Sequence, residues 1–148
     1  MARRELPDLA AMEAFGAAIA GQLRAGDVIA LEGGLGAGKT TLARAIIAAL
    51  GYPHEVPSPT FTIIESYDAP PLSLPVVHAD FYRLERPKEV EEIGLDDYRE
   101  GAALIAEWPQ NAGGFAHEPA CLSITLETAG KGRIATVKGA ADWLGRMP

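Results

Sequence analysis

Residues 33–40 read Gly-Gly-Leu-Gly-Ala-Gly-Lys-Thr and combine four glycines with a terminal Lys-Thr pair. They match the pattern G-x-x-x-x-G-K-[ST], in which backbone amides surround phosphate groups. Glycine is needed because the backbone approaches the phosphates closely and adopts positive φ angles. Lys39 is placed to contact the β- and γ-phosphates, and the Thr40 hydroxyl to bind magnesium. The motif predicts a nucleoside-triphosphate site.

The flanking segments supply the elements that such a site needs. Residues 28–31 form a short apolar run typical of a buried strand, and residues 41–50 carry apolar side chains at helical spacing. A strand, a glycine loop and a helix in this order direct amide groups and the positive end of a helix dipole at one point. A chance Gly-rich turn would not need these neighbours. The expected nucleotide contacts in this unit are Gly34, Leu35, Gly36, Ala37, Gly38, Lys39, Thr40 and Thr41.

Composition narrows the class of protein. The chain has 148 residues, 48% of them hydrophobic, which predicts a single folded domain spanning residues 1–148. No apolar run approaches membrane-spanning length, and the single cysteine cannot form an internal disulfide, so we expect a cytoplasmic protein. The formal net charge is −7 with only four lysines, which disfavours a directly bound nucleic acid. Any RNA would be held by a partner.

The remaining segments predict an α/β domain. We expect three layers around a central sheet that is parallel near the glycine loop and antiparallel elsewhere. Asp8 is the expected N-cap of a first helix, and Gly130-Lys131-Gly132 the expected turn of a hairpin. The predicted helices are 9–23, 41–50, 87–93, 95–100 and a last one from residue 140; the predicted strands are 28–31, 61–67, 74–80, 102–107, 122–127 and 133–137.

Two carboxylates follow predicted strands, where a phosphate-loop protein places its second magnesium ligand. Glu107 ends the apolar run 102–106, which is typical of a central parallel strand, and we assign it to magnesium, directly or through water. Asp80 ends strand 74–79 and is a candidate for positioning the attacking water or completing the outer metal shell. A strand-end cap or a partner of Arg83 is the alternative for Asp80. Which carboxylate positions the water stays open at this point.

Three further residues have both a functional and a structural interpretation. Thr60 follows the loop helix and is either a sensor of the γ-phosphate or its magnesium, or part of a turn that starts a strand. Trp108 adjoins Glu107 and either contacts a ligand or partner or packs in the interior. His78 points, by alternation, to the face of Asp80, and a structural hydrogen bond is an equally good interpretation.

Three arginines are candidates for stabilising negative charge during hydrolysis: Arg83, Arg86 and Arg133. None lies in the context of an arginine finger, so we expect slow hydrolysis by the isolated protein. The chain also lacks an [NT]-K-x-D motif, which reads guanine, and adenine is therefore the expected base by default.

Four sequence blocks together resemble one protein family. They are Gly-Leu-Gly-Ala-Gly-Lys-Thr-Thr at 34–41, Ser-Pro-Thr-Phe-Thr at 58–62, His-Ala-Asp-Phe-Tyr-Arg-Leu at 78–84 and Glu-Trp-Pro at 107–109. In this order and spacing they are similar to TsaE, also called YjeE, the bacterial ATPase of tRNA threonylcarbamoyladenosine biosynthesis. The resemblance extends over nearly the whole chain. Gly34 is one departure, because relatives often carry an acidic residue there.

The resemblance implies a small phosphate-loop ATPase that binds ATP or ADP with magnesium and works with the TsaB–TsaD pair. In that pathway TsaC makes threonylcarbamoyl-adenylate, TsaD transfers the group to the tRNA adenosine beside the anticodon, and TsaE supports turnover. The implied roles are phosphate and magnesium binding for Lys39 and Thr40, magnesium binding for Glu107, activity for Asp80 and Trp108, and nucleotide contact for Leu9, near Asp8, and Arg133. With Thr60 added, the predicted catalytic set is Lys39, Thr60, Asp80 and Glu107.

Two other classes of function share the phosphate loop. A small-molecule kinase closes over its acceptor with a lid usually rich in arginine, and the longest irregular stretch here, 111–118, contains no Lys or Arg. A nucleotide-gated binding module with little turnover would carry the same motifs. Labelled γ-phosphate separates ATPase from kinase. The partner-dependent ATPase is the favoured hypothesis.

Overall fold

The structure is a computed structural model that describes residues 1–59 and 63–148. Seven strands form one sheet in the order β1-β7-β6-β2-β5-β4-β3. The four inner strands β6, β2, β5 and β4 run parallel, whereas β1, β7 and β3 pair antiparallel with their neighbours. The strands are β1 Ala2–Leu6, β2 Val28–Glu32, β3 Ile64–Tyr67, β4 Val76–Asp80, β5 Ala103–Glu107, β6 Cys121–Ala129 and β7 Gly132–Gly139.

Helices cover both faces of the sheet and give the predicted three layers. On one face, helices α1 (Leu9–Gln22) and α2 (Lys39–Ala49) share a hydrophobic cluster with Ile29 and Ile105. On the other face, α3 (Glu89–Glu92) and α4 (Leu95–Arg99) border a second cluster that contains Leu104. Two-sided burial explains why β5 is apolar at every position before Glu107. The mixed α/β sheet confirms the predicted fold class.

The register of the parallel strands brings their carboxyl ends together. Leu31 of β2 pairs with Glu107 of β5, and Asp80 of β4 pairs with the same residue. Ligands of open α/β sheets bind at this edge, outside the carboxyl ends of the strands. The glycine loop leaves β2 at the same edge, so strand register alone gathers the loop and both carboxylates.

Two elements near the ends of the sequence differ from the sequence prediction. Strand β1 was not predicted; it pairs with β7 through main-chain hydrogen bonds, although four of its five side chains are exposed. The predicted last helix is wrong, since only a 3₁₀ turn, Ala141–Trp143, forms there, and the nearby Gly145 favours no continuation. Trp143 of this turn is fully buried, whereas Leu144 is exposed. In the described chain, no helix is long and apolar enough to cross a membrane.

Candidate functional site

The glycine loop adopts the backbone conformation that its sequence demands. Gly33, Gly36 and Gly38 have φ angles of 150°, 76° and 105°. A Cβ atom on Gly33 would lie 2.6 Å from the carbonyl oxygen of Leu126, so no larger residue fits there. At Gly34 a Cβ atom would meet open space. The departure from the family pattern at Gly34 therefore leaves the shape of the loop unchanged.

Helix α2 begins directly at the loop, two residues earlier than predicted. Its N-cap is Gly38, which offers no side chain to accept hydrogen bonds from the first amides of the helix. Those amides and the positive end of the helix dipole make a favourable site for an anion. A cavity of about 330 Å³ lies here, lined by Leu35, Gly36, Ala37, Gly38, Lys39, Thr40, Thr41, Asp80, Tyr82, Glu107, Trp108 and Arg133.

Lys39 is held inside this cavity by the loop itself. Its Nζ donates to the carbonyl oxygens of Gly33 and Gly34 at 2.7 and 2.8 Å. Burial lowers the pKa of Lys39 below its ordinary value, and the carboxylates of Glu107 and Asp80 oppose that shift. The ammonium is thus a desolvated charge with only partial compensation, which a phosphate anion would complete.

The Thr40 hydroxyl contacts Glu107, 67 residues further along the chain. Thr40 Oγ1 donates to Glu107 Oε1 at 2.7 Å, and Glu107 is 2% exposed. Magnesium prefers oxygen ligands at about 2.0–2.1 Å in octahedral geometry, which places adjacent ligands roughly 2.9 Å apart. The spacing and chemistry of these two oxygens fit that requirement. Among residues 1–59 and 63–148, no cluster of three or more His, Cys, Asp or Glu could hold a metal.

Asp80 lies on the neighbouring strand and lines the same cavity. Its Oδ1 accepts a hydrogen bond from the Tyr82 amide at 2.9 Å, and the residue is 8% exposed. The strand-end cap foreseen for Asp80 is therefore present. Because its carboxylate still borders the cavity, the cap and a role toward the nucleotide are compatible.

Trp108 and Tyr82 form an aromatic rim of the cavity. The Lys39 Nζ lies 4.4 Å from the centroid of the half-buried Trp108 ring, and the Tyr82 ring centroid lies 4.9 Å from that of Trp108. Trp108 has a φ of 54°, an unusual backbone conformation for a residue other than glycine. Sequence reasoning missed Tyr82; its position two residues after Asp80 was the available signal.

Arg133 of the hairpin β6–β7 contacts the loop rather than standing free. Its guanidinium donates to the carbonyl oxygens of Ala37 at 3.0 Å, Gly36 at 3.1 Å and Gly132 at 2.8 Å. These hydrogen bonds hold the loop carbonyls, so Arg133 contributes to the shape of the loop. Arg83 and Arg86 are not among the described residues that line the cavity. Arg86 instead pairs with Glu92 at the surface.

A second cavity of about 220 Å³ adjoins the first. Apolar side chains of Leu6, Leu9 and Met12 line it together with Asp8, Lys131 and Gly132. Gly38, Thr41 and Arg133 line both cavities and so connect them. The structure thereby places Leu9 beside the loop unit. Thr60 lies outside the described residues.

Comparison with known proteins identifies the family. The family model "Threonylcarbamoyl adenosine biosynthesis protein TsaE" matches residues 6–135. The chain belongs to the TsaE family. The resemblance noted from four sequence blocks is thus confirmed, and the matched region contains both cavities and all the predicted site residues.

Individual TsaE relatives support the same assignment. Proteins named "tRNA threonylcarbamoyladenosine biosynthesis protein TsaE" include one from Bacillus subtilis, 48% identical over 84 residues, or 56% of this chain and 51% of that protein. One from Synechocystis is 40% identical over 110 residues, 71% of this chain and 68% of that protein. The match thus spans about half the length of the first relative and two thirds of the second.

A solved structure shares the TsaE-family fold. The crystal structure of YdiB from Bacillus subtilis superimposes with a TM-score of 0.77 at 29% identity. The match covers 95% of this chain and 86% of that chain. The sheet and the helices that position the loop are therefore those of a phosphate-loop fold.

Proposed function

We propose that this TsaE-family protein binds ATP with magnesium and hydrolyses it slowly, in the cytoplasm, in support of threonylcarbamoyl modification of tRNA by a TsaB–TsaD complex. The observation that carries the proposal is the contact between Thr40 and Glu107 at the mouth of the glycine loop. Through this contact, the end of the loop and the central strand β5 each present one oxygen suited to magnesium, next to the buried Lys39. Membership of the TsaE family supports the proposed role in tRNA threonylcarbamoyladenosine biosynthesis.

The phosphates would occupy the cavity beside the glycine loop and Lys39. The first amides of α2 and the Lys39 ammonium would bind them, and Thr40 and Glu107 would hold magnesium, directly or through water. Magnesium there would neutralise charge on the β- and γ-phosphates. Burial strengthens each of these interactions, because charges in a water-poor site are screened weakly.

Asp80 would orient the attacking water, because Glu107 would hold magnesium and the Asp80 carboxylate borders the same cavity from the adjacent strand. The cavity behind Leu9 and Met12 would take the base, since its apolar wall suits an adenine ring and it opens beside Gly38. Among the described residues, Arg133 is the only arginine that lines the phosphate site, and its guanidinium is already hydrogen-bonded to loop carbonyls. This arrangement supports slow intrinsic hydrolysis.

Two isosteric substitutions separate the roles of the carboxylates. We expect Glu107→Gln to raise the magnesium concentration needed for half-maximal hydrolysis about tenfold or more, because the ligand charge is lost. We expect Asp80→Asn to lower the hydrolysis rate by about 100-fold while that magnesium concentration stays near the wild-type value. Phosphate release measured across a magnesium titration distinguishes the two. Wild-type rates and magnesium dependence in both variants would contradict the assignment.

The partnership is tested by co-precipitation with purified TsaB and TsaD. We expect the chain to be retained with ATP and magnesium and to be lost without nucleotide. Lys39→Ala, which removes the proposed phosphate contact, serves as the matched negative control. Association that is absent under every nucleotide condition would remove the proposed partnership, while leaving ATP binding to be judged separately.

A further inference from the structure

His78 is a buried histidine beside the proposed magnesium site. It is 0% exposed, whereas the other two histidines, His54 and His117, are exposed. In strand β4 it pairs with Ile105 of β5, so Glu107 is its diagonal neighbour on the same face of the sheet. The Nε2 atom of His78 lies 2.6 Å from Oε2 of Glu107.

The two oxygens of Glu107 have different partners. Oε1 accepts from Thr40 of helix α2, and Oε2 contacts His78 of strand β4. A carboxylate offers only acceptor positions, so the shared proton belongs on His78 Nε2. The remaining nitrogen, Nδ1, is buried and has no hydrogen-bond partner in the described part of the chain, a property shared only with the Tyr67 hydroxyl there.

Within residues 1–59 and 63–148, Glu107 is the only hydrogen-bond partner of the His78 ring, since Nδ1 has none. Buried polar groups cost free energy unless hydrogen-bonded, and an apolar residue would fill the site at lower cost. The neighbours on the same face of β4 and β5 include Val76 and Ile105, which are apolar. The imidazole is therefore specified by its contact with Glu107 rather than by the packing of the sheet.

We infer that His78 is a positioning residue for magnesium. Its Nε2–H fixes Oε2 of Glu107 and so turns Oε1 toward Thr40, where the metal would bind. Magnesium and the Thr40 hydroxyl proton compete for Oε1, whereas the bond to Oε2 is compatible with both arrangements. Partners of this kind typically change metal affinity by about 10- to 100-fold. The inference rests on the proposed function of the site.

The experiment compares ATP binding in EDTA and across a magnesium titration for three variants. His78→Leu is expected to raise the magnesium concentration for half-maximal effect about tenfold or more, with the Kd for ATP in EDTA nearly unchanged. His78→Gln keeps an amide donor in a similar place and should stay close to wild type. Val76→Ala, a packing change on the same face of β4, should lower Tm and leave the magnesium dependence intact.

A second measurement needs no variant. Nitrogen-15 NMR of the wild-type histidines should show one buried ring with its proton on Nε2, both before and after addition of ADP and magnesium. The Nδ1–H tautomer would overturn the inference, as would wild-type magnesium dependence in folded His78→Leu protein or equal defects in the Leu and Gln variants. A wild-type protein that binds no ATP, or binds it without any effect of magnesium, would instead overturn the proposed function and this inference with it.

Discussion

Replacing Lys39 with alanine is expected to lower the affinity for ATP about 100-fold or more, with little change in Tm. Lys39 is 5% exposed, and its ammonium lies among the loop carbonyls and the Trp108 ring. A charge-assisted hydrogen bond contributes about 1.5–3 kcal/mol, and a buried phosphate contact involves at least one such bond. At 1.4 kcal/mol per tenfold change, one such bond at the upper figure, or two at the lower figure, account for a loss of about 100-fold.

Stability should respond differently, because burial already disfavours the charged form of Lys39. Removing an incompletely compensated charge relieves that desolvation and offsets the two lost hydrogen bonds to Gly33 and Gly34. Calorimetric titration gives the affinity, and thermal unfolding gives Tm. Lys138→Ala is the matched control, since Lys138 is exposed on β7 and lines neither cavity of the nucleotide site. ATP binding by Lys39→Ala at wild-type strength would refute the phosphate assignment.

Replacing Arg146 with methionine is expected to destabilise the fold by about 3–5 kcal/mol, the usual effect of breaking a buried ion pair. Arg146 donates two hydrogen bonds to the Asp27 carboxylate, at 2.6 and 2.7 Å, and these raise the pKa of Arg146 above its ordinary value. It also donates to the Gln22 carbonyl. The pair ties the end of the chain to the turn that precedes β2. Its loss leaves Asp27, 2% exposed, as an uncompensated buried charge.

Urea unfolding of three variants tests this expectation. The exposed pair between Arg86 and Glu92 is the matched control, and Arg86→Met should cause no measurable change because solvent screens that pair. In the double variant Asp27→Asn with Arg146→Met, part of the lost stability should return, since the buried charge is gone. For a chain of this length Arg146→Met should lower Tm by roughly 10 °C. Equal stability of Arg146→Met and Arg86→Met would refute the role of the buried pair.

The centre of the fold and of the site could be predicted from local sequence. The glycines of the loop predict its backbone conformation, and the apolar run before Glu107 predicts a strand buried on both faces. Parallel strands bring their carboxyl ends to one edge, so the proximity of Asp80 and Glu107 follows from the order of elements. Register then makes these two residues direct partners.

Other parts of the site depend on contacts that sequence patterns do not encode. The bonds from Arg133 to the loop carbonyls require the hairpin to pack against the loop, and Arg133 lies 96 residues after Ala37 in the sequence. Strand β1 exposes most of its side chains and is held by main-chain hydrogen bonds, so it lacks the alternation that would mark it. The link between His78 and Glu107 requires the register of β4 on β5, which one-residue slippage would destroy.

The fate of the γ-phosphate tests the central claim most directly. Wild-type protein is incubated with magnesium and γ-labelled ATP, alone and with TsaB and TsaD, in the presence of a mixture of small metabolites. We expect slow, magnesium-dependent appearance of the label as inorganic phosphate only. Transfer of the label to a metabolite would show a kinase, and label that stays on ATP even with both partner proteins present would show a binding module; either result would contradict the account.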